Sequence, residues 1–207
     1  MVRGSEVRAI EAPPNLRSFF NGKPPRLWCR GDLTILNHTL LGIISARQID
    51  SDLALKSSEL LKRLQPLKDV SFVGGWHSPL EEQALRVLIA QEASIVFCVS
   101  KSVDRFVPSI ELGRRVSEGQ ALLLTHCSPK AKRITRDASM RRNDLVVQLA
   151  KALLVLSAPE GSASLKLARS ALDRGKPVHT IEHRLNEDLL RAGGVPATLD
   201  TIKEALR

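Results

Sequence analysis

The chain has 207 residues, 43% of them apolar, which is enough for one sizeable core in an ordinary globular domain. No apolar run approaches the ~18 residues of a membrane span, and the N-terminal MVRGSEVRAIEAPPNLRSFF lacks the apolar stretch of a secretory signal. A net charge of +9 points to a polyanionic partner.

Residues 1–25 carry Pro13-Pro14 and Pro24-Pro25 and show no periodicity, so they are expected to form an extended arm with one helical turn near Asn15 to Phe20. The remaining 26–207 form a single domain. RLWCRGDLTIL, from Arg26, suggests a short β excursion that turns at Gly31-Asp32. Leu40 to Ser45 is the first strong core strand, ending in the small-small-basic turn Ser45-Ala46-Arg47. A helix follows from Ser51 or Asp52, with Leu53, Ser57, Leu60, Leu61 and Leu64 facing inward and Pro66 as its stop. Val70 to Val73 is a strand running into Gly74-Gly75. Ser78-Pro79-Leu80-Glu81 then opens a helix with a capping box and a proline at the first helical position.

Ser94 to Val99 is the next strand, and a helix spans Ser109 to Glu118. Ala121 to Thr125 is a strand, after which six Lys or Arg crowd positions 130 to 142 against one Asp. This segment is expected to be a basic loop, with Asn143-Asp144 capping a helix that carries Leu145, Val146 and Leu149 on one face. Ala152 to Ser157 is a continuous apolar run of the length of a doubly covered parallel strand. Its exit, Ala158 to Ser164, feeds a helix that ends at Gly175. Pro177 to Ile181 is a strand, and two short helices near Asn186 to Ala192 and Asp200 to Leu206 close the chain. The alternation predicts one doubly wound α/β domain, with a mostly parallel sheet of about six strands and helices on both faces.

The chemistry is bounded by what is missing. No GxGxxG follows a strand, and there is no GxxxxGK[ST] and no GxSxG. None of the five histidines has a partner at metal-ligand spacing, so no metal and no cofactor are expected. Cys29, Cys98 and Cys127 are widely spaced and are expected to be reduced core residues of a cytoplasmic protein. Five Phe, two Trp and no Tyr make a thin stacking platform, so phosphate contacts would carry most of any nucleic-acid affinity.

Loops at the carboxyl ends of parallel strands, feeding helix N-termini, are where open α/β sheets bind anions. Candidate contacts there are Arg47, Lys130, Lys132, Arg133, Arg136 and the Arg142-Asn143 pair, set against a merely solvated charged surface. His77 is either a turn histidine bonded to nearby backbone or a ligand-facing group beside Glu81 and Glu82. Ser162 and Ser164 serve as helix caps, with or without a ligand.

These residues, in this order, resemble the DNA-processing protein A family. LWCRGDLTIL is similar to the family's lead-in, and Ile44-Ser45-Ala46-Arg47 to its VGsR. Val73 to Glu81 is similar to the SGfHSPxE form of the Gly-rich turn found in small stand-alone members. Arg133-Ile134-Thr135 and Arg142-Asn143 resemble the RxT…RN stretch, and Ser162-Ala163-Ser164-Leu165 aligns with SGSL. The resemblance spans roughly residues 26 to 206. Asp144 departs from the family's third basic residue, Ala163 replaces a glycine, and the extra terminal domains of larger members are expected to be lacking.

The resemblance implies a Rossmann-like domain that binds single-stranded DNA without catalysis, forms a homodimer and helps to load a RecA-type recombinase. Ser45, Arg47, Gly74, Gly75, Arg133, Arg142 and Asn143 would line the site, with His77, Lys132, Ser162 and Ser164 beside them. The rival reading within the same fold group is a nucleotide sensor, or an enzyme cleaving a nucleoside-monophosphate glycosidic bond with Glu81 or Glu82. Against the enzyme, the phosphoribohydrolase motif PGGxGTxxE has no counterpart at Ala158 to Ser164. A ligand-free oligomeric scaffold is the third reading.

Overall fold

The computed structural model describes residues 6–12, 16, 26–64, 67 and 69–207. Seven strands run parallel: β3 (Thr39–Ser45), β4 (Val70–Gly74), β5 (Ile95–Cys98), β6 (Ala121–Thr125), β7 (Ala152–Ser157), β8 (Val178–Thr180) and β9 (Val195–Pro196). Two more, β1 (Arg8–Glu11) and β2 (Arg26–Gly31), extend the sheet antiparallel beyond β6. The order is β1-β2-β6-β5-β4-β3-β7-β8-β9, a nine-stranded sheet among the described residues. The doubly wound α/β class therefore holds, with more strands than the expected six. The three additions lie at the margins: Arg8–Glu11 falls in the stretch assigned to the arm, Arg26–Gly31 is the expected β excursion now paired into the sheet, and Val195–Pro196 is too short to show a period. The expected helical turn near Asn15 and the stop at Pro66 lie outside the described residues, Leu16 excepted.

The chain walks from β3 to β6 in one direction, then returns to the other side of β3 to lay down β7, β8 and β9. The switch point is thus between β3 and β7, where doubly wound sheets open a crevice at their carboxyl ends. Helices α1 (Ser51–Arg63), α2 (Pro79–Ala90), α3 (Ile110–Ser117) and α7 (Leu199–Leu206) bury Leu53, Leu61, Leu80, Leu88, Leu112 and Ile202 on one face. On the other, α4 (Arg136–Leu149), α5 (Ala163–Leu172) and α6 (Glu187–Arg191) bury Leu145, Val146, Leu165, Ala168 and Leu189. Both faces being covered explains the unbroken apolar run of β7: Leu154 and Leu156 pack on the first face, Leu153 and Val155 on the second.

The crossover helices α1 to α5 run back against the strands, so each begins at the sheet's carboxyl rim. Each is capped there by a side chain: Asp50, Ser78, Ser109, Thr135 and Ser162 accept from the backbone amides of Leu53, Glu81, Leu112, Ala138 and Leu165. One expectation fails at α4. Its N-cap is Thr135, not Asn143-Asp144, which lie in the middle of the helix. The long charged side chains of Arg136, Arg141 and Arg142 are good helix formers and extend the helix into what the charge suggested was loop.

A local weak point sits on β8. His179 is 3% exposed, and neither ring nitrogen has a hydrogen-bond partner among the described residues. Burial without a partner pushes its pKa down. Replacing an unsatisfied imidazole by an aliphatic group removes a desolvation penalty, so His179→Leu is expected to gain about 1–2 kcal/mol. A thermal melt should move up by about 2–8 °C; a downward move would mean that the ring has a partner in solution.

Candidate nucleic-acid interface

The rim has two tiers. The lower one is buried and centred on Glu81, 3% exposed, in the first turn of α2. Its Oε2 accepts from the His77 amide at 3.0 Å, from the Ser78 amide at 3.4 Å and from His77 Nδ1 at 2.9 Å. Its Oε1 accepts from the Ser45 amide at 2.9 Å. The capping box legible in the sequence is present, but the same carboxylate also ties the exit of β3 to the turn that follows β4. Burial disfavours ionisation of Glu81, yet the hydrogen bonds from the His77 ring and from the His77 and Ser45 amides outweigh it, holding the carboxyl below its ordinary 4.5.

Arg142, 4% exposed, reaches up from α4 to the underside of the same turn. Its Nε donates to Asn143 Oδ1 at 2.8 Å, Nη1 to the Gly75 carbonyl at 3.3 Å, and Nη2 meets His77 Nε2 at 3.2 Å. A guanidinium only donates, so His77 Nε2 accepts and the ring proton sits on Nδ1, pointing at Glu81. His77 is thereby a bridge between a buried carboxylate and a buried cation, with its side chain still 40% exposed at the rim.

The Gly-Gly pair is packed against side chains of the protein itself. A Cβ on Gly75 would stand 2.5 Å from Arg142 Nη1 and 2.6 Å from Cζ; one on Gly74 would stand 2.8 Å from the Trp76 ring. The space that bare backbone leaves is filled from within. Trp76 itself adopts a left-handed φ of 53°, held by burial of the indole and by its N–H donating to the Val96 carbonyl at 3.1 Å.

At the switch point the Ala46 amide donates to the Ser157 carbonyl at 2.8 Å, and Ser157 Oγ donates to the Gln48 carbonyl at 2.6 Å. Ser164 Oγ also donates to the Ser157 carbonyl, at 3.0 Å, and lies 3.1 Å from Ser162 Oγ, which caps α5. The amide of Ala158 is taken by Asn186 Oδ1 at 2.8 Å. Ser45 is buried, its Oγ donating to the Ala46 carbonyl. Ser45, Gly74, Gly75, Arg142, Asn143, Ser162 and Ser164 thus form the internally bonded floor.

The upper tier faces solvent. Arg47 on the β3 exit and Lys130, Lys132, Arg133 and Arg136 on the β6 exit are exposed, and none makes an ion pair among the described residues. The β5 exit adds Lys101 and Arg105, and the Ser102 amide donates to the Ala131 carbonyl at 3.3 Å, joining that loop to the basic one. His126 at the base of the basic loop carries no charge at neutral pH: burial, reinforced by Arg141 and Arg142 against Asp137, holds its pKa down to about 4. Of the rim's carboxylates, Asp50 is paired with Arg184 and His183 and Asp137 with Arg141. Helix N-termini beneath the free cations add to the positive potential.

The sequence model of the DNA recombination-mediator protein A family matches residues 8–195. The chain belongs to that family. Two DNA processing protein A structures share its fold. That from Streptococcus pneumoniae superposes with a TM-score of 0.82 at 16% identity, covering 98% of this chain and 75% of the other. That from Helicobacter pylori, a protein with a single-stranded DNA binding mode, gives 0.78 at 20% identity, covering 100% and 98%. A molybdenum cofactor binding protein from Rippkaea orientalis shares the fold more distantly, at 0.55 and 16% identity over 81% of this chain and 94% of that one. No curated protein matches by sequence. Among the described residues of this recombination-mediator family member, no helix is long and apolar enough to cross a membrane, and no cluster of His, Cys, Asp and Glu has the arrangement of a metal site.

Proposed function

We propose that this chain binds single-stranded DNA along the carboxyl rim of its sheet and acts in DNA recombination or uptake, without catalysis of its own. The observation that carries the reading is the upper tier: Arg47, Lys130, Lys132, Arg133 and Arg136 are exposed and make no ion pair among the described residues, on the rim where the crossover helices begin, in a recombination-mediator family. The buried tier shapes that rim rather than touching the strand, apart from the exposed edge of His77. In the same proposal residues 26–207 act as the DNA-binding domain, paired as a homodimer that passes the strand to a RecA-type recombinase, as the family resemblance implies. The three free cysteines, all buried, suit a reducing cytoplasm.

The enzymatic rival needs a carboxylate held against a sugar; Glu81 has both oxygens committed to backbone amides and the His77 ring, and Glu82 is exposed, its side chain held by no hydrogen bond or ion pair among the described residues. The test is a binding titration with single-stranded and duplex oligonucleotides at several salt concentrations. Log affinity for the single strand is expected to fall with log salt with a slope of about −2 to −4, for roughly three to five neutralised phosphates. Arg47→Ala should weaken binding to many sequences alike and shave about 0.7 from that slope. A salt-independent signal, or no binding to any oligonucleotide, would end the proposal.

A further inference from the structure

We infer that the exit of β5 carries an apolar ledge for unpaired bases, which makes the rim selective for single strands over duplex; this rests on the DNA-binding reading above. Val107 and Ile110 are 87% and 95% exposed, the barest large apolar side chains among the described residues, and only Pro108 and Ser109 separate them. Their outward display is held in place at both ends. Phe106 packs on Phe97 with ring centroids 5.1 Å apart, and its carbonyl accepts from Arg30 Nη2 at 3.3 Å. Ser109 caps α3 through the Leu112 amide at 3.2 Å.

The loop that bears the ledge is tied to the cationic tier. Lys101 Nζ lies 5.7 Å from the centroid of the Phe106 ring, and the Ser102–Ala131 hydrogen bond fixes the loop to the segment bearing Lys130, Lys132 and Arg133. An occupant must therefore present anionic groups and apolar faces side by side. A single strand does so, with phosphates on one edge and base planes on the other. A duplex keeps its base faces stacked inside and would leave Val107 and Ile110 wet. Of the loop's own charges, Lys101 and Arg105 suit phosphate, while the one carboxylate, Asp104, is turned back onto the Ser102 hydroxyl at 3.3 Å. In a chain with few aromatics, aliphatic side chains supply the surface that aromatic rings supply elsewhere.

The experiment compares a thymidine oligonucleotide of about 20 residues, spanning one or two typical sites, with a fully abasic strand of the same phosphate number. The wild-type chain should prefer the thymidine strand by about threefold or more, less than stacking of the same bases on aromatic rings would give. The V107S/I110S variant should lose that preference while keeping its affinity for the abasic strand and the same salt slope. Both side chains stand in water, so its melting temperature should match the wild type. A variant that keeps the preference, or a wild-type chain with none, overturns the ledge. So does a variant that loses the preference but elutes as a smaller species, which would make the ledge a contact between copies. Failure of wild-type protein to bind either strand instead refutes the DNA-binding reading itself.

Discussion

Glu81→Gln is expected to lower the melting temperature by about 6–12 °C, the largest effect of any isosteric change at the rim. The amide keeps one acceptor oxygen but turns an NH2 group toward amides that already donate, leaving buried N–H groups of Ser45 or His77 unpaired, at about 3 kcal/mol. For a domain of this size that energy corresponds to the stated shift. The pH dependence separates this from a mere packing defect. Because the folded carboxyl is held below its ordinary 4.5, its contribution is complete above pH 4.5 and fades as pH falls below that value. The stability gap between wild type and variant should therefore narrow on acidification below pH 4.5. A gap constant down to low pH, measured by denaturant unfolding, would show that Glu81 stabilises by shape alone.

Gly75→Ala and Arg142→Ala should each destabilise by about 2–4 kcal/mol, and together by less than their sum. An alanine methyl at 75 and the Arg142 guanidinium claim the same volume, 2.5–2.6 Å apart if both were present, so the first substitution evicts the side chain that the second deletes. Double-mutant analysis is expected to give a coupling of about 1–3 kcal/mol; simple additivity would mean that the arginine sits elsewhere in solution. The same pair distinguishes floor from surface. Arg142→Ala should weaken oligonucleotide binding by deforming the Gly74-Gly75 turn, leaving the salt slope near its wild-type value, whereas Arg47→Ala reduces the slope.

The central strands were readable in the sequence because each is an unbroken apolar run between turn signals, and the start of α2 because a capping box is a local pattern. The margins were not: β1 is four residues and β9 two, and neither is long enough for alternation to register. The start of α4 was hidden by charge. Had Thr135 been taken as its cap, Arg142 would have fallen at helical spacing with Leu145, Val146 and Leu149, on the buried face. That placement puts the arginine on the packed side of the helix, within reach of the Gly75 carbonyl. The bond from Glu81 to Ser45 bridges 36 positions and leaves no trace in local spacing. The exposed cations, by contrast, were visible from composition and strand order alone.

The outermost strands have a bearing on how copies of this chain can meet. A wide open sheet presents unpaired amides and carbonyls along two flanks, an invitation to add strands from a neighbour and grow into a filament. Here one flank is a four-residue strand framed by Arg8 and Glu11, and the other a two-residue stub ending in Pro196, which has no N–H to give. Among the described residues, self-association that continues the sheet is thereby blunted at either flank, and any pairing of copies is left to helix or loop surfaces.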